Sequence, residues 1–174
     1  FIKLNEEKKP VTSFDTTYTS LDSLDNAGLL LNNKVVVVDF DNDNENEDVI
    51  IEYFKRNYPT LTVKTTRGIH FYYSKPDGVS IKSIADKITV GGIQVDYRTS
   101  NRSYAVVKFN GVMREMNREL TLKDLPPLPL ELYPLPKAKN IIPIMIYSTT
   151  ILVLFGLVTM YIAGEKALTP SKRK

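Results

Sequence analysis

The stretch that most constrains this chain is Lys34-Val-Val-Val-Val-Asp39-Phe-Asp41, a valine run that ends in two aspartates spaced i, i+2. Consecutive β-branched residues predict a strand buried on both faces. Side chains alternate along a strand, so Asp39 and Asp41 share one face. Carboxylates left unpaired at the end of a buried strand are costly. A divalent cation between them resolves that cost, because Mg²⁺ and Mn²⁺ prefer carboxylate oxygen.

The remaining chain reads as short elements around this strand. Residues 1–13 are polar and predict a loose lead-in. Ser20 or Asp22 would cap a short helix ending near Gly28, and residues 29–31 lead across an Asn32-Asn33 turn into the valines. Beyond an acidic, asparagine-rich loop, Val49, Ile50, Tyr53, Phe54 and Tyr58 fall at helical spacing and predict an amphipathic helix over 47–57, ending before Pro59. Residues 60–66 and 69–73 read as a hairpin across Arg67-Gly68. Residues 80–87 form either a short helix or an irregular crossover. Residues 93–97 and 103–109 read as a second hairpin, and Asn110-Gly111 turns the chain into a further strand over 112–116. The expected fold class is α+β, a mainly antiparallel sheet with flanking helices, over residues 1–125.

Composition narrows the partners. The absence of cysteine excludes disulfides, thiolate zinc sites and cysteine nucleophiles. The net charge of +3 conceals a body, residues 1–136, with 17 basic and 19 acidic residues. Nucleic acid could therefore be held only by a local basic strip. Prolines at 126, 127, 129, 134 and 136 mark 126–140 as an extended linker. Residues 141–163 carry no charge and are long enough to cross a bilayer as a helix, with a basic tail over 164–174. A buried core helix is the other reading of that stretch. The expectation is a cytoplasmic body tethered to a membrane, and the opening on Phe1 rather than Met suits a fragment or processed product.

Two further features interrupt apolar strands. His70, the only histidine, lies in Thr65-Thr-Arg-Gly-Ile-His70-Phe-Tyr-Tyr, and Asp96 lies in Ile93-Gln-Val-Asp96-Tyr-Arg98. Lys64, Arg67, Arg98 and Arg102 cluster around them in sequence. Singly, each has a bland reading: a hydrogen-bonded histidine, an aspartate paired with arginine, a solvated loop. Three isolated acids on apolar strands, with one histidine between, make the bland account less economical.

In this order the residues resemble the primase-polymerase domain of the archaeo-eukaryotic primase superfamily, nearest to the versions in phage, plasmid and mobile-element replication proteins. The pattern is a DxD, a strand histidine preceded by a small residue, and a hydrophobic-Asp step. It covers about residues 27–109 and, in its wider reading, all of 1–136. The resemblance implies that Asp39, Asp41 and Asp96 hold two divalent ions, Mg²⁺ or Mn²⁺, and that His70 contacts the phosphates of the incoming nucleotide. Arg67 and Arg98 are read as further phosphate or template contacts. It also implies template-directed nucleotidyl transfer, as a DNA primase or primer-extending polymerase, on a single-stranded DNA template with nucleoside triphosphates and a replicative helicase as partner. The residues depart from the pattern after Asp96, where Asn101-Arg-Ser-Tyr104 and Lys108-Phe-Asn-Gly111 replace a Gly-rich stretch and a Pro-Pro-Ser-like run.

Other DxD chemistries fit less well. A haloacid-dehalogenase-type phosphatase wants Thr or Val where Asp43 stands. A calcium loop starting at Asp39 would place Asn44 where glycine is required and Ile50 where the bidentate glutamate belongs. The non-enzymatic alternative is a membrane-anchored binding or structural protein whose primase-like body is catalytically degenerate.

Overall fold

The computed structural model of the chain describes residues 1–41 and 45–136. The expected membrane helix over 141–163, the tail over 164–174 and residues 137–140 of the expected linker lie outside the described residues. Among the described residues no helix is long and apolar enough to cross a membrane. In chain order the elements are β1 (Ile2–Lys3), β2 (Ala27–Leu30), β3 (Val35–Asp41), α1 (Glu45–Asn57), β4 (Leu61–Lys64), β5 (Gly68–Ser74), β6 (Ile84–Ile88), β7 (Gln94–Thr99), β8 (Tyr104–Phe109), β9 (Val112–Met113) and a 3-10 turn at Leu130–Leu132. All strand pairs are antiparallel, and the architecture is α+β as expected.

The valine strand is the middle of a five-stranded sheet ordered β4-β5-β3-β7-β6. Val36, Val38 and Phe40 point to one face, where Phe71 and Tyr73 of β5, Val95 and Tyr97 of β7, and Ile51 and Phe54 of α1 join them in a core. Val35 and Val37 point to the other face and pack with Leu31, Leu61, Val63, Tyr72 and Ala105. Burial on both faces explains why every side chain from Val35 to Phe40 is buried. The helix carries Lys55 and Arg56 in its last turn, where its dipole favours cations.

A second sheet, ordered β1-β2-β8-β9, supplies Ala105 to that other core. Several sequence expectations change here. Residues 20–26 form turns rather than a helix, and the chain enters β2 directly. The lead-in is stitched down, with Ile2 opposite Gly28 and both Ile2 and Leu4 buried. Residues 84–88 form an edge strand with a register shift. The strand over 104–109 pairs with β2 and β9, not with β7, because the turn at Ser100 (φ 99°) carries the chain from one sheet to the other. Asn110 and Gly111 both take positive φ, as a tight hairpin turn requires.

The proline-rich stretch is part of the body as far as Leu135. Leu128 and Leu132 are buried in the helix-side core, the Ser74 amide donates to Pro126 O, and the Leu135 amide donates to Ile88 O. Composition marks prolines as a linker, but the leucines between them carry enough apolar surface to dock the segment.

Candidate active site

The site is built on the face of β3 that looks toward the second sheet. Cross-strand partners in antiparallel pairs share a face. Asp39 stands opposite His70 on β5 and opposite Asp96 on β7, so the three form one row across adjacent strands. Asp41 is two residues further along the same face, opposite Gly68. The approach there is very close: a Cβ on Gly68 would fall 1.8 Å from the backbone oxygen of Phe40. Only glycine permits it, which gives a physical reason for a small residue two positions before the histidine.

Asp39 is 8% exposed, and its Oδ2 receives two partners. His70 Nε2 and Arg98 Nη2 each lie 3.1 Å from that oxygen. Burial alone would raise the pKa of this carboxyl. The hydrogen bond from His70 and the charges of His70 and Arg98 outweigh burial, and the net shift is downward. Asp39 is thus held as an anion, while its Oδ1 is buried with no hydrogen-bond partner. Asp41 is more open and pairs with Arg67 Nη2 at 3.6 Å.

These groups line a cleft of about 200 Å³, shared by Asp39, Asp41, Arg67, His70 and Arg98 with Lys8, Thr65, Thr66, Tyr104, Val106 and Arg114. The four cations against two carboxylates leave it electropositive. It is smaller than the roughly 300–1,000 Å³ of a typical ligand pocket, and suits a compact charged group better than a whole nucleotide. Across the Thr65–Arg67 turn lies a larger cleft of about 870 Å³, lined in part by Ile51 and Lys55 of α1, Lys64, and residues 115–117.

The structure brings together Asp39, Asp41, His70, Arg67 and Arg98. Asp96 shares the row but not the cleft. Its Oδ1 accepts the backbone N–H of Asp86 at 2.8 Å, where Asp86 adopts a positive φ in the irregular part of β6. Among the described residues no group of three or more histidine and acidic side chains is placed to hold a metal ion. The donor set that does face the cleft, two carboxylates including the unpartnered Asp39 Oδ1, matches how Mg²⁺ is usually bound, by one or two carboxylates plus substrate phosphates. Lys8 and Arg114 gave no signal in the sequence, and Tyr104 signalled only a strand that follows the Asp96 motif. All three reach the cleft because the second sheet packs over β3.

Residues 8–131 match the model of the Prim-Pol family, described as bifunctional DNA primase/polymerase, N-terminal. A comparison with curated proteins finds no match. The matched span includes every residue of the electropositive cleft and the docked proline segment as far as Glu131. The chain belongs to the Prim-Pol family, and its body is a DNA primase/polymerase domain with DNA and nucleotides as the substrates that membership implies.

Proposed function

We propose that the cleft performs template-directed nucleotidyl transfer, with Asp39 and Asp41 as the carboxylates that hold divalent metal in the replication of a phage, plasmid or mobile element. The observation that carries this reading is the asymmetry of Asp39: Oδ2 is fixed by His70 and Arg98, and Oδ1 faces no protein donor. A divalent cation bound there would lower the pKa of the attacking 3′-hydroxyl and neutralise the leaving pyrophosphate. Asp39, held as an anion, and Asp41 both face the cleft in which the reaction would take place. His70 and Arg98 hold Asp39 in place and are the donors nearest to where phosphate oxygens would sit. Arg67, on the turn between the two clefts, can leave its exposed pairing with Asp41 at little cost. Asp96 would help Asp39 and Asp41 hold divalent metal on giving up the Asp86 N–H. Template would lie in the larger cleft, against Lys55 and Lys64.

The test is template-dependent incorporation of nucleotides by the full chain with Mg²⁺ or Mn²⁺. The double variant Asp39→Ala/Asp41→Ala should lose at least about a thousandfold in rate, since positioned charge supplies most of the acceleration. Undiminished incorporation in that variant would sink the assignment. The degenerate, binding-only reading draws on the engagement of Asp96 elsewhere. It expects DNA binding without incorporation in the unmodified chain.

A further inference from the structure

We infer that the β8–β9 hairpin carries a stacking site for one unpaired base of the template strand, built on Phe109 and Val112. The inference rests on the polymerase reading above.

Lys108-Phe-Asn-Gly111, where the sequence departs from the primase-polymerase pattern, forms the turn of this hairpin. Asn110 and Gly111 carry the chain round with positive φ. Their amides are tied to the lead into β2: the Asn110 N–H donates to Asn26 Oδ1 at 2.6 Å and the Gly111 N–H to Asp25 O at 2.9 Å. At the other end the Arg114 N–H donates to Val107 O at 2.9 Å. Two residues of β9 would make a marginal hairpin alone. Held at tip and base, it is a fixed wall.

Phe109 stands opposite Val112 across the hairpin, so the two share a face. Both line a hollow of about 240 Å³ whose other walls include the Thr65-Thr66 turn and the cations Lys64 and Arg114. Glu115 also lines it and pairs with Lys64 at 3.5 Å. Val112 is 69% exposed, which puts apolar surface in water beside the ring. Phe109 is half-buried, with Lys8 Nζ 5.0 Å from its ring centroid, and surface that it leaves open is turned to the hollow.

The position of the hollow selects its occupant. It shares Thr65, Thr66 and Arg114 with the active cleft, and Lys64, Thr65 and Thr66 with the larger cleft. A strand that lies against Lys55 and Lys64 and offers a base to the cleft of Asp39 and Asp41 passes it. Such a strand presents base faces to Phe109 and Val112 and phosphates to the cations beside them, the combination that holds single-stranded nucleic acid. Copying also requires each template base to be accepted in turn. Stacking meets that requirement because every base has a π face, whereas hydrogen bonds to base edges would favour one. The volume is below the roughly 300–1,000 Å³ of a pocket that encloses a whole ligand, as suits a base carried past on a strand.

Equilibrium binding of a single-stranded DNA oligonucleotide to the full chain, at one fixed salt concentration, tests this when each position of the oligonucleotide is made abasic in turn. In the unmodified protein one position should lose about 5- to 150-fold on removal of its base, the size of one base–aromatic stack. Phe109→Ala should weaken binding of the intact oligonucleotide by a similar factor and make that position indifferent to loss of its base. Phe109→Tyr keeps a ring and should retain both affinity and base dependence. Phe109→Leu keeps apolar bulk without a π face and should behave like the alanine variant, with dATP binding unchanged. Val49 is 71% exposed on α1 and outside the hollow, and Val49→Ala should change nothing. Unchanged DNA binding in Phe109→Ala, or losses in that variant that are equal with and without the base at every position of the unmodified chain's footprint, would overturn the inference while leaving the polymerase reading to its own test. If Phe109→Ala does not fold, full base dependence in Phe109→Leu overturns it equally. An unmodified chain that binds no single-stranded DNA would overturn both.

Discussion

The five-stranded and four-stranded sheets are both wholly antiparallel, yet they are built from different kinds of sequence and bring different chemistry to the cleft. The first is assembled around one long apolar strand, with neighbours in register along most of its length. It supplies both cleft carboxylates, the histidine and Arg98. The second joins four short strands from the start of the chain, from residues 27–30 and from residues 104–113, and contributes Tyr104 and Val106 with Lys8 and Arg114 at its margins. The anions of the cleft stand on the first sheet, where Arg98 and Arg67 pair with them, and the other two cations, Lys8 and Arg114, come from the margins of the second. The proposed polymerase reading needs charges of both signs side by side, and this division keeps the second pair of cations off the carboxylates. It also makes the site depend on how the two sheets pack.

A pair of glycines, one in each sheet, tests this division. Gly68→Ala should be the more damaging change, because the new Cβ would meet backbone: Phe40 O at 1.8 Å and Asp41 Cα at 3.0 Å. Backbone cannot swing aside, so β3 and β5 would separate at the end that carries Asp41 and His70. Destabilisation of about 3 kcal/mol is expected, at the upper end for overpacking, together with loss of incorporation. Urea unfolding measures the first, and a change below about 0.5 kcal/mol would show that the close approach is not a constraint. Gly28→Ala meets a side chain instead, with Tyr104 Cδ2 at 2.7 Å. Tyr104 can tilt, at about 1 kcal/mol. But its hydroxyl donates to Lys8 O at 2.8 Å, so tilting would move one wall of the cleft. The expected signature is nearly intact stability with a raised nucleotide KM. An unchanged KM would mean that the second sheet covers the site without shaping it.

How far the sequence announced each region follows the same division. Val35 to Asp41, the hairpin that carries His70 and the strand that carries Asp96 were legible because a long buried strand writes a local, period-two or all-apolar signal. The second sheet wrote a local signal only at its hairpin, where Asn110-Gly111 turns β8 into β9. β1 is two residues long and pairs with distant β2, Ile2 opposite Gly28, so nothing local distinguishes Ile2 from a frayed terminus. Tyr104 to Phe109 was visible as a strand but not as a member of another sheet, because periodicity fixes a strand's faces and not its neighbours. Arg114 had no pattern to belong to. Asp96 shows the converse limit: its strand and register were readable, but the bend at Asp86 that takes up its carboxylate was not.

The proline segment gives the smallest effect and the narrowest window. Glu131 accepts a hydrogen bond from the Tyr58 hydroxyl, which clips the 3-10 turn to the end of α1. That bond holds the Glu131 carboxyl below its ordinary pKa. A carboxyl whose pKa is lower in the folded state binds fewer protons there than in the unfolded chain. Its contribution to stability is therefore complete above the ordinary glutamate value of about 4.3, and is lost as pH falls through the folded value. Tyr58→Phe removes the donor while keeping a ring to pack against Phe54, 5.7 Å away between centroids. Melting temperatures of the two proteins should differ slightly at pH 6 and converge below about pH 4. Because Glu131 is only part-buried, water still screens the contact, and the gap should be small and should shrink with added salt. A gap that stayed constant down to pH 3 would locate the contribution of Tyr58 in ring packing, and would leave the buried leucines and the backbone hydrogen bonds to hold the proline segment to the body.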